Sequence, residues 1–251
     1  MSNLLGNLTT EGLEESQDRL GGFRVLESGP YLMTIKAAYL GKSATSNAQS
    51  INIVAAAEDG TEYRETFWIT NKNNENFYVD QNDGNKKKPL AGFTHIDDLC
   101  LVTTNKPLAQ QSAEEKVINV YDPEQRKELP KGVQMLVELL GQKATFGVVK
   151  EIRNKQAKDD SGSYVDTADT REVNATDKIF HYPSNLTTVE ARKGIQQAAF
   201  YGSWVERNKG KDRDRRSIKD GQNGQAGRAG RPGGNPPKAG DAAVKTNSLF
   251  G

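Results

Sequence analysis

The chain of 251 residues has few of the side chains that most often carry catalysis: two histidines and one cysteine. His95 and His181 belong to no HExxH motif and to no Cys/His cluster, so we expect a structural or surface role for each and no metal site. Cys100 lies in an apolar stretch, which predicts a buried, inert thiol. No catalytic triad can be assembled from so few histidines. We therefore expect neither an enzyme nor a cofactor.

The sequence also lacks long apolar runs. Its most apolar stretches, residues 51–57 and 135–140, are far shorter than the ~20 residues that a helix needs to cross a bilayer. The first residues include neither a basic segment nor an apolar core, so we expect no signal peptide. These absences favour a soluble intracellular protein that has no membrane partner.

Motifs for nucleotide chemistry are missing as well. No complete phosphate-binding loop occurs, and the glycines of residues 227–234 follow no predicted strand. The acidic pairs Asp97-Asp98 and Asp159-Asp160 could bind the metal of a nuclease. Their places, at a predicted helix start and in a predicted loop, also have an ordinary structural explanation. A nuclease is therefore a minor alternative.

Charge is distributed unevenly along the chain. Residues 205–251 contain 11 basic and 5 acidic side chains, whereas the first 204 residues contain 23 basic and 28 acidic ones. The segment 210–251 is rich in Gly and Pro and poor in apolar residues, so we expect a disordered tail there and a flexible segment over residues 1–22. A mildly acidic body with a cationic arm is typical of a protein that binds a polyanion.

Alternating apolar residues predict three meandering strands over residues 31–40, 50–57 and 61–70, with Asp59-Gly60 in the second turn. A polar hairpin is inserted over residues 71–92. A helix is predicted over residues 93–104, with Thr94 as its N-cap. The later elements are predicted as a strand at 117–121, a helix at 133–140, a strand at 143–153, a loop at 156–170, a strand at 178–182, and helices at 187–193 and 195–209.

Three strands, a helix and further strands are the chain order of an oligonucleotide-binding (OB) Greek-key barrel. We therefore expect a mainly β domain over residues 23–209, with helical additions and the OB fold. A β-sandwich decorated with helices would show a similar pattern and stays open as an alternative.

Aromatic and basic residues interleave around the third predicted strand. Arg64 and Trp68 share its polar face, whereas Tyr63 and Phe67 on the other face are expected in the core. A large ring on a polar face suggests a stacking platform or an interface, and binding a single strand requires flat rings for bases and cations for phosphates. A lysine triplet beside a turn is, however, often simply solvated. We expect DNA contacts from Arg64, Trp68, Lys72, Phe77, Tyr78, Lys86, Lys87, Lys88, Lys150, Arg153, Lys155, Arg213, Arg215 and Arg216.

Several long stretches of the chain also resemble one known family. They are ETFWITNKNNENFYVDQNDGNKKKPLAGF, DDLCLVTTNKPLAQQSAEEKVINVYD, LVELLGQKATFGVVKEIRNKQ, DKIFHYPSNLTTVEA and WVERNKGKDRDRR. Together they cover roughly residues 25–216. They are similar to the single-stranded DNA-binding proteins that virulent tailed phages encode.

This resemblance implies an OB barrel that coats single-stranded DNA, with little sequence preference, during phage DNA replication, recombination and repair. The location it implies is the cytoplasm of the infected bacterial host. The family's binding region corresponds here to Trp68, Lys72, Tyr78 and residues 86–88. The resemblance also implies partners for the C-terminal tail, namely replication or recombination proteins or host RNA polymerase.

The tail departs from the pattern of many single-stranded DNA-binding proteins, which end in an acidic stretch tipped by a hydrophobic residue. Here Asp241 is the only acidic residue after Asp220, although Leu249 and Phe250 form an apolar tip. We expect this tip to contact a partner protein, while the basic stretch could touch DNA or protein. The alternative function is a scaffold or transcription co-regulator that recruits a host or phage protein through the basic tail.

Overall fold

The computed structural model of the protein describes residues 25–122, 125–160 and 162–218. The predictions for residues 1–22, for most of the basic tail, and for Leu249 and Phe250 lie outside these ranges. The helices and strands, in chain order, are β1 (Gly29–Lys42), β2 (Gln49–Ala57), β3 (Glu62–Trp68), β4 (Phe77–Asp80), β5 (Asp83–Pro89), α1 (Ala91–Thr104), β6 (Ala113–Asp122), β7 (Lys127–Leu136), β8 (Lys143–Lys158), β9 (Tyr164–His181), α2 (Thr188–Arg192), α3 (Ala199–Asn208) and β10 (Arg213–Asp214). No helix within the described ranges is long and apolar enough to cross a membrane.

Strand β1 is the centre of a large, mainly antiparallel sheet because both of its edges carry partners. One edge pairs with β2, which in turn pairs with β3. The other edge pairs with β8 near its start and meets β7 at Tyr39. Strand β9 extends the sheet from β8, and β6 extends it from β7. The predicted meander and the predicted mainly β class are both confirmed, while a closed barrel is not detected in the described part of the chain.

The core lies between this sheet and helix α1. The apolar members of each strand alternate inward, and α1 covers them with one buried face. Cys100 on α1 is fully buried, as predicted, and burial raises the pKa of its thiol. Tyr63 and Phe67 are each 4% exposed, which confirms that this face of β3 belongs to the core.

A polar bridge joins β3 to β9, which share no backbone ladder among the described strands. The Tyr63 hydroxyl donates to Glu65 Oε2 at 2.6 Å, and the Thr176 backbone N–H donates to the same oxygen at 3.0 Å. The Tyr63 and Thr176 hydroxyl oxygens are themselves 3.0 Å apart. Burial raises the pKa of the Glu65 carboxyl, although these hydrogen bonds oppose the shift. One carboxyl thus ties together two edges of the sheet.

Residues 210–218 belong to the fold, so the predicted tail boundary at residue 210 lies too early. Strand β10 pairs with β8 in parallel, and Arg213 Nη1 binds Asp177 Oδ1 at 2.7 Å. Asp177 also accepts from the indole N–H of Trp204 at 2.7 Å, and that ring packs edge-on against Phe180. Backbone pairing and partly buried ion pairs hold this polar segment, and neither depends on the apolar periodicity that it lacks.

Two predicted elements change type: buried Val133 and Met135 alternate with exposed Gln134, which is strand period, whereas residues 156–170 have few apolar side chains that could mark a strand. Residues 133–136 end strand β7, and a short 3-10 turn, Val137–Leu139, replaces the predicted helix. Residues 156–170 form the outer part of the β8–β9 hairpin rather than a loop. Helix α1 also starts earlier than predicted: Leu90 is its N-cap, and the Thr94 hydroxyl donates to the Leu90 carbonyl at 3.1 Å. Helix α3 starts later, at Ala199.

The close approach of α1 to the end of β3 yields a first prediction. A Cβ on Gly92 would lie 2.3 Å from the Trp68 carbonyl oxygen, so Gly92→Ala must push strand and helix apart. We expect a loss of about 1–3 kcal/mol in the free energy of unfolding, measured by chemical denaturation. Gly84→Ala is the matched control, because a Cβ there meets nothing within 4 Å. Equal effects of the two substitutions would contradict the close packing.

The polar bridge yields a second prediction, on pH. Because the pKa of Glu65 is raised on folding, its contribution to stability is fully present below the pKa of the unfolded chain and is lost as pH rises through the folded-state pKa. In Glu65→Gln the amide oxygen can still accept both hydrogen bonds, without this titration. Wild type should therefore lose stability relative to Glu65→Gln as pH rises from about 4 to 7.

Unfolding free energies across that pH range test this expectation. Glu62→Gln is the control on the same strand, since the Glu62 side chain is exposed and folding does not desolvate it. If the unfolding free energies of wild type and Glu65→Gln differ by the same amount at every pH, the Glu65 carboxyl keeps its charge in the folded protein and the prediction is wrong.

Candidate nucleic-acid interface

The face of β1–β3 that points away from the core forms a regular array of side chains. Because strands alternate, residues opposite one another in the register share this face. Its polar members are concentrated at the ends of β1 and β3 and in the middle of β2. The three cross-strand rows are Ala37–Val54–Arg64, Tyr39–Asn52–Thr66 and Gly41–Ser50–Trp68.

Trp68 is the large ring of this array, and its side chain is 47% exposed. Its row neighbours are the small residues Ser50 and Gly41, which leave the ring uncovered from that side. A side chain at Gly41 would meet Ser50 Oγ and Asn52 Nδ2 at 2.6 Å, so the narrow row depends on glycine. The prediction that Trp68 lies on a polar, solvent-facing surface is confirmed.

An open cleft of about 860 Å³ lies between this array and the β6–β7 hairpin. Its lining includes Tyr39, Trp68 and two lysines, Lys42 and Lys131, and no carboxylate is among the described lining residues. The polar part of the lining also includes the hydroxyls of Ser50 and Thr66 and five amide side chains: Asn47, Gln49, Asn52, Asn74 and Gln134. A cleft whose described lining includes two lysines and no acid is suited to an anionic ligand.

Lys42 and Lys131 were not among the residues predicted from the sequence. Both are exposed, and neither forms an ion pair with a residue of the described ranges. Lys42 ends the first strand and could have been noticed as its last residue. The sequence offered no reason to select Lys131, because strand β7, which carries it, was not predicted.

Arg64 lies at the margin of the cleft rather than within its lining. Its guanidinium contacts Glu62 on the same strand and reaches Glu128 of β7 at 3.5 Å. This ion pair links β3 to the β6–β7 hairpin across the array. Arg64 therefore has a structural partner on each side.

The three lysines of the inserted hairpin have partners within that hairpin. Lys86 lies 2.9 Å from Asp83, Lys88 contacts Asp80, and Lys87 lies 4.2 Å above the Phe77 ring. Exposed pairs of this kind contribute little and exchange readily with solvent. No residue of the β4–β5 hairpin is among the described lining of the cleft, although Asn74, which precedes β4, is, so the structure does not join these lysines to Trp68.

The remaining residues of the hairpin region differ from one another. Lys72 is exposed and forms no ion pair within the described ranges, so it is the cation of this region that is available to a ligand. Tyr78 is half-buried and lies opposite Lys88 in the β4–β5 register. Phe77 is covered on one side by Lys87.

The predicted DNA contact Lys150 is a structural residue instead. Its side chain is 12% exposed, and Nζ lies 3.0 Å from Glu27 and 3.2 Å from Asp212. Hydrogen bonds to these two carboxylates raise the pKa of its ammonium group. Lys150 therefore ties the chain preceding β1 to the segment preceding β10.

The other predicted basic residues lie around the outer part of β8, away from the cleft. Arg153, Arg213 and Arg215 all approach the carboxylate of Glu151. Lys155 is exposed and has no ion-pair partner in the described part of the chain. Arg216 pairs with its neighbour Asp214 at 3.1 Å.

The acidic pair considered for a nuclease has structural partners. Asp97 Oδ1 accepts from the Leu108 backbone N–H at 2.8 Å, and Asp98 binds Lys178 at 3.1 Å and the Thr188 hydroxyl. Within the described ranges no group of three or more His, Cys, Asp or Glu side chains could hold a metal ion.

Comparison of the sequence with protein-family models and with curated proteins finds no match. The chemistry of the site is therefore inferred from its own residues. An exposed ring, two unpaired lysines and a row of amides can stack on bases, neutralise phosphates and donate to or accept from base edges.

Proposed function

We propose that the protein binds single-stranded DNA, with little sequence preference, in the cleft between the β1–β3 array and the β6–β7 hairpin. The observation that carries the proposal is the half-exposed Trp68 ring inside a cleft whose described lining includes two lysines and no carboxylate. Every base has a flat face, so stacking on such a ring is tolerant of sequence. The amides suit any base edge because each carries both a donor and an acceptor.

The chain order and pairing support an OB fold with two inserted hairpins. Strands β1–β3 form the meander, and α1 follows them. Strand β8 then pairs with β1, and β9 contacts β3 through the Glu65 bridge. In this interpretation β4–β5 and β6–β7 are the insertions. OB folds bind oligonucleotides on the face of their second and third strands and with the adjoining loops. Here that face carries Asn52, Thr66 and Trp68.

In the cell, we propose, this binding protects and organises single-stranded DNA during phage replication, recombination and repair in the bacterial cytoplasm. The support is the resemblance of residues 25–216 to phage single-stranded DNA-binding proteins, together with a cleft suited to that ligand.

Fluorescence polarisation with labelled oligothymidine, against the same length of duplex, tests the proposed function. We expect tight binding of the single strand, much weaker binding of the duplex, and no cleavage when Mg²⁺ is added. Equal binding of both forms would overturn the proposal, and cleavage would favour the nuclease alternative.

Replacing Trp68 tests the site. Trp68→Ala should weaken oligothymidine binding by the ~1–3 kcal/mol typical of one stacked base. The ring is exposed, so the free energy of unfolding should change by no more than about 0.5 kcal/mol. Tyr164→Ala removes another exposed ring, 67% exposed at the start of β9 and outside the cleft, and is the control. If Trp68→Ala melts much earlier and binds normally, the ring is structural.

Replacing the cleft lysines tests the charge of the same site. The double substitution of Lys42 and Lys131 by Gln should reduce the slope of log K against log salt by about 1.4, at ~0.7 per phosphate contact. The control replaces Lys86 and Lys88 by Gln, which removes the same charge from side chains already paired with Asp83 and Asp80. A larger reduction of the salt slope in the control variant would show that the DNA phosphates contact the β4–β5 hairpin instead.

A further inference from the structure

We propose a second anion-binding site, formed by Arg153, Arg171 and Arg215, that holds a phosphate group. The three guanidinium groups line an open pocket of about 420 Å³ beside the outer part of the β8–β9 hairpin. Arg171 was not among the residues predicted from the sequence. The register of β8 and β9 places it directly opposite Arg153.

The first observation is a pair of like charges placed directly opposite each other. Arg153 of β8 and Arg171 of β9 are register partners in the antiparallel ladder. The Cβ atoms of such partners are about 4.5–5.5 Å apart, and like charges in this position destabilise a sheet. An anion bound between the two guanidinium groups removes that repulsion.

The second observation is a buried carboxylate that orients two of the arginines. The Glu151 side chain is 4% exposed, and its Oε2 accepts from Arg153 Nε at 2.8 Å. Its Oε1 accepts from Arg215 Nε at 3.4 Å and also faces Arg213 at 3.7 Å. Arg213 belongs mainly to Asp177, at 2.7 Å, so it does not enter the pocket. Glu151 fixes the guanidinium planes of Arg153 and Arg215 but cannot neutralise both.

The third observation is the number of donors that remain. Arg171 has no hydrogen bond or ion pair with any residue of the described ranges, and Arg215 uses only its Nε. The other acid of the pocket, Asp166, is already occupied by Ser217 at 2.5 Å and by Gln156 at 3.0 Å. Three guanidinium groups therefore share the pocket with the two carboxylates of Glu151 and Asp166, which leaves one net positive charge among the described lining residues. The excess of oriented N–H donors matches the several oxygens of a phosphate.

This pocket is separate from the Trp68 cleft. Strand β1 reaches the cleft with Tyr39 and Gly41, whereas its first residue, Gly29, pairs with Val148 near the pocket. Ten residues of strand at about 3.3 Å each separate the two ends. The phosphate could belong to a nucleic-acid backbone or to a free phosphate compound, and these two sources require different tests.

The first test uses inorganic pyrophosphate and the full chain, with calorimetric titration at low salt. Arg171→Gln should weaken pyrophosphate binding about tenfold, the loss expected for one charge-assisted contact. Lys155→Gln, which removes an exposed charge of the same hairpin outside the pocket lining, should have less than a twofold effect. This measurement does not depend on the proposed single-strand binding, so failure of one leaves the other standing.

The second test repeats the salt titration with a long and a short oligothymidine. A reduced salt slope in Arg171→Gln for the long strand alone assigns the phosphate to DNA that extends beyond the cleft. An unchanged slope with weaker pyrophosphate binding assigns it to a free phosphate compound. Unchanged binding of both probes, or equal losses in Arg171→Gln and Lys155→Gln, would overturn the site. Because Arg171 has no hydrogen-bond or ion-pair partner in the described part of the chain, the variant should unfold no more readily than wild type.

Discussion

The interaction on which the rest of the architecture depends is the hydrogen-bonded bridge from Tyr63 and Glu65 on β3 to Thr176 on β9. Strand β3 has a backbone ladder on one edge only, so its second edge is held by this bridge and by helix α1. A buried carboxyl with two donors is costly to disrupt, because each donor would lose its partner inside the core. The bridge therefore fixes which face of β3 is inward. The opposite face, with Trp68, is consequently fixed outward.

The distribution of ion pairs separates structural cations from those available to a ligand. Lys150 joins Glu27 to Asp212, and Arg213 joins β10 to Asp177. These pairs attach the segments around Glu27 and Arg213 to strands β8 and β9. In the Trp68 cleft, by contrast, Lys42 and Lys131 meet no carboxylate. Within the described ranges, a basic residue is thus available to a ligand where no acidic residue lies near it, and the number of basic residues in a region matters less.

Much of the central sheet could be predicted because its strands are half-buried. Alternation over β1–β3 identified both faces, so Tyr63 and Phe67 were expected inside and Trp68 outside, as found. The β6–β7 hairpin and the outer β8–β9 hairpin were largely missed. Strand β6, the first residues of β7 and the outer parts of β8 and β9 are largely exposed on both faces, and the hydrophobic effect then imposes no period on the sequence. The cleft was missed with them, since one of its walls is such a hairpin.

The sequence by itself determined the class of the fold, the inward and outward faces of β1–β3, and the burial of Cys100, because each follows from the local pattern of apolar residues. Only the tertiary structure decided which cations are free. A lysine in a sequence has no visible partner, and Lys150 looked as available as Lys42. Long-range packing brings Glu27 and Asp212 to Lys150. Lys42 lies in a cleft whose described lining includes no acid. The same applies to Arg171, whose neighbour Arg153 lies 18 residues away in the chain and directly opposite in the sheet.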